Sequence, residues 1–116
     1  MRAVVLFGHG SRDAKWREPM DAVARRVEDK GVLVRCAFLE LQHPDLAAAV
    51  AELVEAGASS IRVVPMFLGT GRHAREDLPP LVDALRTLHQ GVQIELRAAV
   101  GEDSRLLALL AEIAVD

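Results

Sequence analysis

Two of the four histidines sit where backbone freedom and open space meet. His9 lies in Phe7-Gly8-His9-Gly10-Ser11-Arg12, and His73 closes Gly69-Thr70-Gly71-Arg72-His73. A neutral imidazole can ligate cobalt, nickel, iron or zinc, or accept a proton near neutral pH. The glycines flanking His9 permit a sharp turn and close ligand approach. The plain alternative for either histidine is a loop residue bonded to nearby backbone. Glu40 ends an apolar run, where a carboxylate can orient an imidazole, take a proton or bind metal. It could equally supply negative charge ahead of a helix beginning near Pro44-Asp45. His43 reads as a solvated loop histidine or an auxiliary ligand, and His89 as a cation complementing a helix C-terminus. Arg12, Arg72 and Arg75 can grip carboxylates bidentately, or serve as surface charge beside Asp13, Glu76 and Asp77. Leu68 could wall a pocket. Cys36 falls mid-strand and reads as a small buried hydrophobe.

Positioning these groups requires a scaffold, and hydrophobic periodicity supplies one. Four apolar runs, Ala3–Phe7, Val32–Leu39, Ile61–Phe67 and Val92–Ala98, alternate with helical patterns near 16–29, 45–56, 78–89 and 104–114. Gly31, Gly57 and Gly91 follow the first three helices as C-caps should. This alternation predicts an α/β fold with a four-stranded parallel sheet and helices on both faces. Runs one and three are apolar on both sides and belong in the centre. Run four alternates apolar and polar residues, and run two carries Arg35 on one face and Cys36 on the other, so both are edges. The order 2-1-3-4 satisfies this with right-handed crossovers. Pro65 cannot donate to a ladder and marks where regular pairing ends. Ligands bind such sheets beyond the carboxyl ends of the strands, at the switch point. Here that point lies between strands one and three, whose loops carry His9 and His73. The loop after strand two brings Glu40 to the same edge, so three candidate ligands or bases converge.

Bulk composition narrows the function classes. A chain of 116 residues suits one domain, 1–116. With 51% apolar and 27% charged residues it is globular. Aromatics at 3% and a net charge of -3 argue against a nucleic-acid partner. One cysteine excludes an internal disulfide and fits a reducing compartment. The first apolar run is too short for a signal peptide or membrane span, so a cytoplasmic location without membrane attachment is expected.

Taken together, Phe7–Arg12, Ala37-Phe38-Leu39-Glu40 with Pro44, Val64–Leu68, and Gly71, His73, Asp77, Leu78 and Pro79 closely resemble the sirohydrochlorin chelatases of the short CbiX type. Gly101-Glu102-Asp103 extends the likeness across nearly the whole chain. The resemblance implies insertion of cobalt, iron or nickel into sirohydrochlorin, for cobalamin, siroheme or nickel-tetrapyrrole synthesis. It places the metal-site histidines on His9 and His73 and the acidic helper on Glu40. Ser11, Arg12, Leu68, Gly71, Arg72 and Arg75 become candidate substrate-binding residues. Arg72 departs from the pattern, which has glycine or a small residue there, and adds a cation beside the metal. No organic cofactor is implied, because the divalent metal is itself a substrate. The short chain would be half a chelatase, paired with a second copy as a homodimer. The chemistry agrees: metallation removes two pyrrole protons, and the metal must be held weakly enough to leave, which suits imidazole better than thiolate. Two rivals differ in class. Histidine phosphatases also place His-Gly after a first strand, but with arginine where this chain has Gly8. A metal carrier or nucleotide-binding half-domain is the other, and no Gly-x-Gly-x-x-Gly or Gly-Lys-Ser phosphate loop supports the nucleotide version.

Overall fold

Short runs of Val, Ile, Leu and Phe form strands because their side chains pack well on a pleated surface. The computed structural model describes residues 1–116. It contains strands β1 (Arg2–Gly8), β2 (Leu33–Phe38), β3 (Ser60–Pro65) and β4 (Gln93–Leu96), and helices α1 (Glu18–Glu28), α2 (Leu46–Glu55), α3 (Arg72–Leu88) and α4 (Ser104–Val115). Single 3₁₀ turns at Ala14–Arg17 and Val100–Glu102 precede α1 and α4. The four strands form one parallel sheet in the order β2-β1-β3-β4, as the strand composition predicts. Val5 pairs with Arg35 on one side and Val63 on the other, and Ile61 pairs with Ile94.

Each sheet face has its own core. On the first, Val5, Phe7, Ile61, Val63 and Ile94 meet Leu46, Val50 and Leu53 of α2 and Leu78, Val82 and Leu85 of α3. On the second, Leu6, Val34, Cys36 and Phe38 meet Met20 of α1. Helices therefore lie on both faces, but coverage of the second stops halfway. Arg62 is exposed on β3, opposite Glu95 on β4, and their side chains pair at 3.4 Å. The expectation that the third run is apolar on both sides is thus corrected: one side of it is polar at Arg62.

One helix departs from its sequence outline, and another forms as outlined but stays uncovered. α3 starts six residues before the expected 78, at Arg72, and carries Pro79 and Pro80 inside it. A proline usually marks the first turn, but residues 72–78 are good helix formers, and Arg72 pairs with Glu76 one turn on at 3.0 Å. His73 therefore lies in the first turn of α3 and not in a loop ahead of it. α4 forms where expected, yet none of its residues is buried. Its own sheet offers Arg62, Gln93, Glu95 and Arg97 on the uncovered face, all exposed and unsuited to a leucine-rich helix.

Candidate active site

The carboxyl ends of β1, β2 and β3 continue pairing beyond the strands. Leu39 donates its N–H to the Gly8 carbonyl at 2.9 Å, and Glu40 donates to the His9 carbonyl at 3.1 Å. Met66 donates to the Phe7 carbonyl at 2.8 Å. The loops are thereby laid side by side. Gly10 makes this possible: its φ is +102°, and a Cβ there would overlap the Glu40 carbonyl oxygen. Only glycine adopts that conformation without strain. The result brings His9 Nε2 to 3.1 Å from Glu40 Oε1, with both side chains more than half exposed. The segment beyond is braced. Ser11 N–H donates to Gln42 Oε1 at 3.2 Å, and Ser11 Oγ accepts from Asp13 N–H at 3.0 Å. Asp13 accepts from Lys15 N–H and so caps the first 3₁₀ turn. Arg17 then bonds Asp21 through Nε and a terminal nitrogen while lying 4.7 Å above the Phe38 ring.

His73 reaches the same edge from the first turn of α3. His9 and His73 line one cleft of about 180 Å³, with Leu39, Phe67, Gly69, Gly71, Arg72 and Ala74. The structure thus joins His9 to Glu40 by contact and His9 to His73 by a shared cleft. No group of three or more His, Cys, Asp or Glu side chains closes around a metal position. The three-way convergence drawn from sequence is accordingly two pairwise relations that share His9. Such a set can hold a metal through few donors and leave most of its coordination open, as an ion that must be handed on requires.

The other candidates separate by position. Arg72 lines the cleft while its side chain pairs with Glu76. Arg12 is exposed, and Leu68 is 67% exposed at the rim. Arg75 faces a neighbouring cavity of about 260 Å³ that also receives Arg97 and Glu102. His43 is exposed, and His89 caps the far end of α3. Cys36 is buried within the second core, where loss of hydration pushes its thiol up to about 11. Sequence reasoning did not single out Gln42, which steadies the first loop, or Leu39 and Phe67, which wall the cleft. Gln42 gave no signal. Leu39 and Phe67 did, because their apolar runs outlast strands that end at Phe38 and Pro65.

The family model for CbiX matches residues 3–116. A sirohydrochlorin cobaltochelatase of Methanopyrus kandleri is 40% identical over 84 residues, covering 71% of this chain and 59% of that protein. One from Sulfolobus acidocaldarius is 31% identical over 112 residues, covering 97% and 89%. Among solved structures, a CbiX protein of Marinobacter aquaeolei superposes with a TM-score of 0.84 at 32% identity, over 98% of this chain and 94% of that one. The sirohydrochlorin chelatase SirB of Bacillus subtilis, in complex with cobalt, gives 0.79 at 26% identity, over 96% and 48%. This chain spans about three-fifths of the Methanopyrus relative and about half of SirB. With the fold, the strand order and the full-length match in agreement, the chain belongs to the CbiX family.

Proposed function

We propose that this chain is a metal chelatase that inserts a divalent ion into sirohydrochlorin, with cobalt as the first candidate and iron or nickel as alternatives. The observation that carries this reading is the shared, open cleft of His9 and His73 at the carboxyl ends of two central strands. The names of the archaeal relatives and the cobalt bound by SirB support it. Exposed Leu39, Leu41 and Leu68 border the same edge and suit the flat face of a macrocycle. Arg12 and Arg72 stand near its rim for the carboxylate arms, with Arg75 in the adjoining cavity and Ser11 and Gly71 shaping the loops.

In this mechanism His9 and His73 hold the metal through imidazole nitrogen, and Glu40 steadies His9 or receives a proton through it. The reaction exchanges one divalent ion for two pyrrole protons, so the site must accept protons as the ion departs. Residues 1–116 act as one domain equivalent to half of a longer chelatase. Two copies form a homodimer near the active-site edge, where a macrocycle overhangs one crevice. A cytoplasmic setting fits the single buried thiol. No helix is long and apolar enough to cross a membrane.

Absorbance spectra of sirohydrochlorin with cobalt and purified protein, under anaerobic conditions, test the reading. The metallated spectrum should appear faster than in the protein-free control. Cobalt binding without acceleration identifies a carrier. Phosphoryl transfer to His9 without metallation identifies a phosphotransferase.

A further inference from the structure

The cleft of His9 and His73 is built on the end of a helix that repels cations. His73 lies in the first turn of α3, where unpaired backbone N–H groups give the helix its positive pole. Gly71 at the N-cap offers no side chain to those groups, and the first turn holds no acidic residue. Arg72, the first residue of α3, lines the cleft beside His73. His9 has a carboxylate partner in Glu40, but no ion pair of the chain includes His73. On its α3 side a divalent ion in this cleft therefore meets a helix pole and a guanidinium of its own sign.

Arg72 is held only loosely. Its Nε donates to Glu76 Oε1 at 3.0 Å, one turn on, with the two side chains 80% and 60% exposed. An exposed pair of this kind is weak and exchanges partners readily. Neither terminal nitrogen takes part, so both stay open for a grip on another carboxylate. The approach is open as well, because a Cβ at Gly69 or Gly71 would meet nothing within 4 Å. The two substrates of the proposed reaction carry opposite charges. One cation thus attracts the carboxylated macrocycle and repels the metal. A carboxylate arm that takes the guanidinium adds negative charge to the cleft. It also releases Glu76, which is an i,i+3 neighbour of His73 on the helix surface. Whatever raises metal affinity in the presence of the macrocycle raises macrocycle affinity in the presence of the metal by the same factor.

We infer that Arg72 sets the order of binding. Resting on Glu76, it keeps the cleft a poor site for cobalt alone, and a carboxylate arm of the tetrapyrrole lifts that penalty by drawing the guanidinium away. The macrocycle then binds before the metal. This rests on the chelatase reading above and adds the order and the residue that imposes it. Calorimetric titration of cobalt into the protein without tetrapyrrole tests it, in about 10 mM salt, where charges act over about 30 Å. Arg72→Gln should tighten cobalt binding about three- to tenfold, a gain that no merely structural role produces. Glu76→Gln should weaken it, the double variant should return near the starting value, and Arg72→Lys, which keeps the charge, should change it little. In about 1 M salt, where the reach falls to about 3 Å, the differences should vanish. Sirohydrochlorin binding without metal, followed by absorbance, should weaken about tenfold in Arg72→Gln. Unmodified protein premixed with sirohydrochlorin should give a faster first turnover than protein premixed with cobalt, and Arg72→Gln should erase that difference. Cobalt affinity unchanged or weaker in a folded Arg72→Gln overturns the inference, and so does a first turnover indifferent to the order of mixing. If Arg72→Gln fails to fold, Glu76→Gln decides with the opposite sign. Absence of metallation with the charge effects on cobalt intact removes the chelatase reading alone. Metallation without those effects removes the ordering role alone.

Discussion

His9 and Glu40 owe their 3.1 Å contact to backbone bonds that exist before either side chain acts. His9→Ala and His73→Ala should each lower cobalt insertion by about a hundredfold or more, as loss of a positioned proton-transfer group does. Their circular dichroism should stay unchanged, since both side chains are exposed. Near-normal rates in both variants would remove the cleft as the reaction centre. Glu40→Gln should cost less, about tenfold, if it works through His9. An unchanged rate would reduce Glu40 to a local charge. Gly10→Ala tests the scaffold beneath them. It forces a side chain into a φ of +102° against the Glu40 carbonyl, and should cost about 2–4 kcal/mol in urea unfolding. His9 was legible because only Gly8 separates it from an apolar run, and His73 because it closes the glycine-bearing segment that leaves another. Their common cleft was legible only through the neighbouring of β1 and β3. The turn that places His73 on a helix was not.

Elements show where periodicity informs and where it stops. Leu53 of α2 is completely buried, and Leu53→Ala should destabilise the fold by about 2–5 kcal/mol in thermal or urea denaturation. α4 has similar periodicity and fully buries none of its residues, because a pattern records that a face is apolar and not what covers it. The early start of α3 was hidden for another reason: Leu78-Pro79-Pro80 imitates a helix N-terminus, while the helix-forming strength of residues 72–78 extends it backwards. The strand order was readable from β1, apolar on both faces, and from the alternation of β4. The root of α4 also responds to acid. Hydrogen bonds from Arg105 hold Asp103 at about 2, well below the usual carboxylate range. A depressed carboxylate contributes its stability above its unfolded pKa, near 4, and loses it as pH falls toward 2. The amide signals of Arg105 and Leu106 should therefore shift toward coil between those values, before the sheet changes. Simultaneous loss of both would show that the cap is not an independent unit.

At the scale of the molecule, the chain has extents of 46 × 33 × 28 Å and a radius of gyration of 14.3 Å, against about 13.4 Å for a compact domain of this length. Removing residues 104–116 should leave the sheet and both cores folded, with a melting temperature within a few degrees of the dilute full-length protein. Loss of cooperative melting would show that α4 supports its own chain after all. The strand order also governs how the molecule is made. β1 is synthesised first among the strands and ends up central, with Ala3 paired to Leu33 on one side and to Ile61 on the other. Its second neighbour does not exist until nearly sixty more residues have been added. At roughly 5–20 residues per second this is about 3–12 s. Throughout that interval a nascent chain carries Val4-Val5-Leu6-Phe7 with an unpaired edge, a ready template for aggregation. Successful biogenesis thus depends on shielding that tetrapeptide until β3 has left the ribosome.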